Sequence, residues 1–169
     1  MTSAELLTDS FGRIQEIVEA VLDGLKPEHL TVRLDSEANT IAWLVWHLTR
    51  VQDDHVAHVA GTEQAWTSGG WADRFGLPLE SSDIGYGHDS DKVAAVTAGV
   101  DELRGYHQAV YANTLRFVGE LSDADMDRVV DDRWDPPVTL GVRLVSVVAD
   151  DLQHAGQASY VRGILDRRR

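Results

Sequence analysis

The chain has 169 residues, 43% of them hydrophobic and 25% charged, which is the composition of one globular domain and excludes an intrinsically disordered chain. Fifteen basic against 28 acidic residues leave a net charge of −13. Such a surface repels phosphate and argues against nucleic acid as a partner. There is no cysteine, so sulfur chemistry here requires a small-molecule thiol.

The N-terminal stretch MTSAELLTDSFGR has acids and no basic region ahead of an apolar run, so no signal peptide is expected. No apolar run is long enough to span a membrane, and the expected location is the cytoplasm. Thr2 and Glu5 stand at capping-box spacing. Phe11, Ile14, Val18, Leu22 and Leu25 follow in steps of three and four, the stripe of an amphipathic helix ended by Asp23-Gly24 and Lys26-Pro27.

A second helix is predicted from Asn39-Thr40 to Gly61, apolar nearly all round in its first half and therefore deeply buried. Residues 62–91 break the helical pattern with Gly69-Gly70, Gly76, Pro78, Gly85 and Gly87. Trp66, Trp71, Phe75 and Tyr86 argue that this long loop packs down on the body, as a functional lid or as a pinned connection. Among the tryptophans, Trp71 is the one expected to line a substrate pocket. A third helix is predicted from Ser90 to Leu121, weakened at Gly99 and Gly105, followed by a solvated acidic connection from Asp123 to Pro137. The last helix is predicted from Thr139 to about Leu165. With no alternating strand and no repeat, the expectation is an all-α, single-domain four-helix bundle over residues 1–169. The basic run Arg167-Arg168-Arg169 is too short to make a nucleic-acid patch.

Of seven histidines, His47 is the informative one, because it lies in the apolar run Ile41-Ala-Trp-Leu-Val-Trp-His-Leu. A lone histidine there is more often a hydrogen-bonded core residue than a ligand. Asp150 and His154 supply the missing partners, since residues four apart share one face of a helix. Two imidazoles and a carboxylate suit zinc, and also nickel or iron. Three protein ligands with an open fourth position is the pattern of a catalytic metal. Asp151 competes with Asp150, and spacing does not separate them. His55 and His58 lie roughly 12 and 16 Å along the helix axis from His47 and are expected at the surface. His29, His88 and His107 have no partners visible in sequence.

The segment from Asn39 to Leu48, with the late Asp150-x-x-x-His154-x-Gly156-Gln157, resembles the DinB-like superfamily of metal-binding four-helix bundles. The resemblance covers nearly the whole chain. It implies His47, Asp150 and His154 as metal ligands and favours Asp150 over Asp151. Asp150 stands where many members have histidine, and Ala155 where many have arginine. The stretch Trp46-His47-Leu-Thr-Arg50-Val-Gln-Asp-Asp-His55-Val is similar to actinobacterial members that act as mycothiol-dependent S-transferases, relatives of the mycothiol-dependent maleylpyruvate isomerases.

The resulting expectation is a metal-dependent enzyme that conjugates mycothiol to an electrophilic small molecule in detoxification. The metal, zinc first, would activate the thiol as thiolate. A hydrolase or thiol-dependent isomerase at the same site, and a non-enzymatic interaction bundle, are the alternatives. Arg50, Gln157 and Arg162 are the expected cosubstrate or supporting contacts, each weighed against an ordinary surface role. A homodimer is compatible with the family, though no exposed apolar stripe in the sequence demands one.

Overall fold

The structure is a computed structural model and describes residues 1–168. Helix makes up 66% of the chain, and among the described residues most of it lies in seven α-helices: α1 Ser3–Leu22, α2 Ile41–Ala60, α3 Ala65–Ser68, α4 Trp71–Phe75, α5 Ser90–Ala95, α6 Val100–Gly119 and α7 Leu140–Arg167. Among them, α1, α2, α6 and α7 form the all-α, DinB-like four-helix bundle. Both α1 and α2 pack against α6 and α7, so the helices run around the bundle in the order α1, α6, α2, α7. No described helix is long and apolar enough to cross a membrane. Arg169, the end of the basic run, lies outside the described residues.

Local signals set the helix limits. Thr2 and Glu5 close the capping box of α1 reciprocally. Thr40 caps α2 by accepting from the Trp43 N–H, and Gly61 ends the helix in the left-handed conformation that glycine tolerates. Thr139 caps α7 in the same way as Thr40 caps α2. Ile14, Val18 and Leu22 of α1 meet Ile41, Leu44 and Leu48 of α2, Leu103 and Val110 of α6, and Leu144 and Val147 of α7 in one continuous core.

Four expectations are corrected. Residues 62–91 are not wholly irregular: α3 and α4 form within them, because the Asp53 carboxylate accepts the Ala65 and Trp66 N–H groups (2.9 and 2.8 Å) and starts α3 from outside. The third helix is two helices, interrupted over Val96–Gly99, where β-branched Val96 and Thr97 precede a glycine that caps α6. The acidic connection holds a small antiparallel hairpin, β1 Val129–Asp131 with β2 Val138–Thr139, too short for alternation to register in sequence. The outer face of α7 does carry an exposed apolar stripe, with Val142, Val145, Leu152 and Tyr160 at steps of three, seven and eight.

Candidate metal centre

Helices α2 and α7 are neighbours in the bundle, and their facing surfaces bring His47, Asp150 and His154 together. Each offers one ligand atom, and the three atoms lie within 4.8 Å of one another. Tetrahedral ligands about 2.1 Å from an ion are about 3.4 Å apart, so the trio stands only slightly wider than a bound set. His47 is buried and stacks on Trp43 at 4.5 Å between ring centroids, and its ring lies 4.8 Å from that of His154. His154 Nε2 is 3.7 Å from Asp150 Oδ1.

The outward nitrogens fix the imidazoles. Ile84 O sits 2.5 Å from His47 Nδ1, and since a carbonyl only accepts, Nδ1 carries the proton and Nε2 the lone pair. Gln157 Oε1 accepts from His154 Nδ1 at 2.9 Å and leaves Nε2 of that ring free. Such outer partners set the tautomer of a metal-binding histidine. Burial pushes His47 below the usual imidazole range, with the Ile84 bond and Asp150 opposing and His154 and His88 adding, so the ring is neutral as a ligand must be. Asp150 Oδ2 is buried and has no hydrogen-bond partner among the described residues. A buried bare carboxylate oxygen beside two free imidazole nitrogens suits a cation, and the donor set fits a divalent metal.

Asp151, one residue on, points elsewhere. It is 0% exposed, and neither oxygen has a partner among the described residues. Burial, with a contribution from Asp150, raises its carboxyl well above the usual range, which favours the protonated form.

The segment between α4 and α5 forms the outer wall of the site. Gly85, at φ +92°, passes so close to His47 that a Cβ there would stand 2.6 Å from Nδ1. Asp83 accepts from the Gly85 N–H (2.8 Å) and from His88 Nε2 (2.9 Å). Trp43 Nε1 donates to His88 Nδ1 (3.1 Å), and the His88 ring stacks on Trp46. Burial raises Asp83, but the Gly85 and His88 bonds outweigh it and hold the carboxyl below its usual range. Sequence reasoning missed this wall; its signal was the glycine pair at 85 and 87 beside an aspartate and a histidine.

Beside the trio lies a cavity of about 260 Å³ lined by His47, Val51, His55, Ile84, Tyr86, Ser146, Val147 and Asp150. Tyr86 stands at its rim, 91% exposed. His55, expected at the surface, is half-buried here, whereas His58 is exposed.

The supporting residues divide. Gln157 touches His154. Arg50 is 0% exposed and faces away from the trio: it donates to Gln64 Oε1 (2.8 Å), the Tyr106 hydroxyl (3.1 Å) and the carbonyls of Asp83 and Ser81. Arg162 binds the Val21 and Asp23 carbonyls at the end of α1 and does not reach the site. Trp71 packs on Gly105 and Tyr106 and lines no part of the cavity.

A crystal structure of a conserved protein from Enterococcus faecalis is similar over 96% of this chain and 96% of its own, with a TM-score of 0.88 and 29% sequence identity. No functionally curated protein matches the chain. Residues 6–167 match the mycothiol-S-transferase family, so the match takes in all four long helices and both sides of the trio. The chain therefore belongs to the mycothiol-S-transferase family.

Proposed function

We propose that this protein transfers the sulfur of mycothiol to an electrophilic small molecule, at a divalent metal held by His47, Asp150 and His154. One observation carries the reading: among the described residues both imidazoles have Nδ1 engaged and Nε2 free, next to a buried carboxylate oxygen without a partner and an open cavity. A divalent metal bound there, zinc by preference with nickel or iron as alternatives, would keep the sulfur of a bound thiol deprotonated at neutral pH.

The chain's own residues prepare that chemistry. Burial keeps His47 neutral, and Ile84 and Gln157 hold the two rings in register. Asp150 contributes a negative charge that makes a coordinated sulfur more nucleophilic than an all-histidine set would. Val51, Ile84 and Val147 give the cavity apolar walls that seat an electrophile beside the sulfur and limit water. In this reading the protein detoxifies reactive small molecules in the cytoplasm, alongside its thiol.

Metal analysis of protein purified without an affinity tag, beside His154→Ala and Asp150→Ala, is the first test. About one metal per chain is expected, lost in both variants. Mass spectrometry should then detect a mycothiol conjugate of a model electrophile from the loaded wild type and not from either variant. A wild type that refuses zinc, nickel and iron overturns the reading.

A further inference from the structure

We propose that His55 is a catalytic hydrogen-bond donor to the electrophile, and that the electrophiles are those whose oxygen gains negative charge as the carbon–sulfur bond forms, epoxides being the simplest. The inference rests on the S-transferase reading of the neighbouring trio.

His55 lies two helical turns beyond His47 on α2 and lines the same cavity. Its Nδ1 is 3.1 Å from Nη1 of Arg143. A guanidinium only donates, so Nδ1 accepts and the imidazole proton sits on Nε2. Arg143 is itself anchored, with Nη2 3.3 Å from Asp131 Oδ2, and Asp131 is clamped by Arg133 at 2.8 Å. The clamp thus reaches from the hairpin through α7 to α2. Asp54 Oδ2 stands 3.8 Å from Nδ1, too far to reverse the tautomer through a hydrogen bond. Nε2 has no hydrogen-bond partner among the described residues, and the side chain is 28% exposed. Burial and Arg143 lower the affinity of His55 for a second proton, against Asp54 and Asp150, so the ring stays neutral. A neutral imidazole N–H polarises an oxygen without giving up its proton.

The step balances with an epoxide. Sulfur attacks a ring carbon, the C–S bond forms, and the C–O bond breaks with its electron pair going to oxygen. His55 Nε2–H hydrogen-bonds that oxygen as charge builds. Solvent then supplies the alkoxide proton, matching the proton released when the thiol bound, and the product is a β-hydroxy thioether.

Two electrophiles of similar shape test the assignment with the zinc-loaded protein and mycothiol: styrene oxide and benzyl chloride. In His55→Phe the oxide-to-chloride ratio of kcat/KM should fall by about 100-fold, the usual effect of removing one such donor. His55→Gln, which keeps an N–H donor, should recover at least about tenfold of that ratio. An unchanged ratio overturns the proposal, as does a wild type that uses the chloride and not the oxide; both leave the transferase reading standing. A wild type that uses neither overturns both. Nitrogen-15 NMR gives an independent readout: His55 should be protonated at Nε2 in wild type and a tautomer mixture in Arg143→Met. Protonation at Nδ1 in wild type overturns the assignment.

Discussion

Helix α2 carries two buried polar groups one turn apart, and they are built in opposite ways. Around Arg50, the guanidinium, the Asp53 carboxylate, the Tyr106 hydroxyl and the Gln64 amide bind one another and the backbone of the 62–89 segment. Around His47, among the described residues, the histidines are tied only on their outer sides, and an oxygen of Asp150 is left bare. A closed network stabilises a fold; an open one presents donor atoms to something else. Burial and charge alone do not tell the two apart, since Arg50 is more deeply buried than His47. The count of unfilled hydrogen-bonding positions does.

Breaking the closed network should have the largest effect. Arg50→Met leaves Asp53 buried without its cation, 3.7 Å away, and frees the carbonyls of Ser81 and Asp83 that the guanidinium ties down. Removing one partner of a buried pair typically costs about 3–5 kcal/mol. Urea denaturation should show a loss of that order. By contrast, His154→Ala in metal-free protein should lose much less, because no closed network depends on it. Equal losses in the two variants would erase the distinction.

Acid provides a second probe. His107 is fully buried on α6; the Thr49 hydroxyl donates its one hydrogen to Val45 O, so His107 Nδ1 donates to Thr49 and Nε2 has no partner among the described residues. Burial takes its pKa down to about 4. Unfolded, it takes a proton near pH 6.5. At His107 the unfolded chain therefore binds more protons between pH 6.5 and 4, so this residue's contribution to stability is full above pH 6.5 and falls progressively toward pH 4, while the raised carboxyl of Asp151 works in the opposite direction. The loss is on the order of 3 kcal/mol, and His47, lowered in the same direction, adds to it in metal-free protein. Metal-free His107→Phe should show a shallower decline over that range in denaturant titrations at stepped pH.

The bundle was legible because its long helices carry both period and caps: Thr2, Thr40 and Thr139 each stand just before an apolar stripe. The convergence of α2 and α7 was legible in part, since a histidine inside an apolar run and an Asp/His pair at i,i+4 are local patterns. Spacing alone did not separate Asp150 from Asp151, and only the family resemblance favoured Asp150. Which of two adjacent residues enters the core depends on the rotation of α7 about its axis, and that is set by packing against three other elements. The destinations of Arg50, His55 and His88 were hidden for the same reason. Their partners lie 56, 88 and 45 positions away in sequence, at Tyr106, Arg143 and Trp43. The break at Val96–Gly99 and the short hairpin fall below the length at which periodicity registers.

The glycine pair on the outer wall tests whether the open group depends on its surroundings. Gly85 and Gly87 both have positive φ, +92° and +71°. A Cβ at Gly87 meets nothing within 4 Å, whereas one at Gly85 meets His47 Nδ1 at 2.6 Å and Trp46 at 3.0 Å. Both alanine variants should lose about 1–2 kcal/mol of stability from the backbone alone. Only Gly85→Ala should also displace His47 and weaken zinc binding, by more than about tenfold, the loss expected when an outer partner of a ligand is disturbed. Competition with a chromogenic chelator separates the two variants. Equal zinc affinities would mean that the wall merely covers the site.

The smallest effect belongs to Gln157, which touches the site at one atom. Its Oε1 fixes the tautomer of His154 from an exposed position, where water is ready to replace it. Gln157→Leu should therefore leave stability within about 0.5 kcal/mol, as surface changes do. Zinc affinity should fall about tenfold, the low end for loss of an outer partner. Gln157→Glu should retain or tighten binding, because a carboxylate accepts the same N–H and makes the imidazole more basic. Metal titrations of the three proteins at one pH distinguish these cases. If Leu and Glu weaken binding alike, the His154 ring is held by packing against Trp43, 5.9 Å away edge-on, and the hydrogen bond is incidental. The contrast between the two clusters on α2 would then rest on His47 and Asp150 alone.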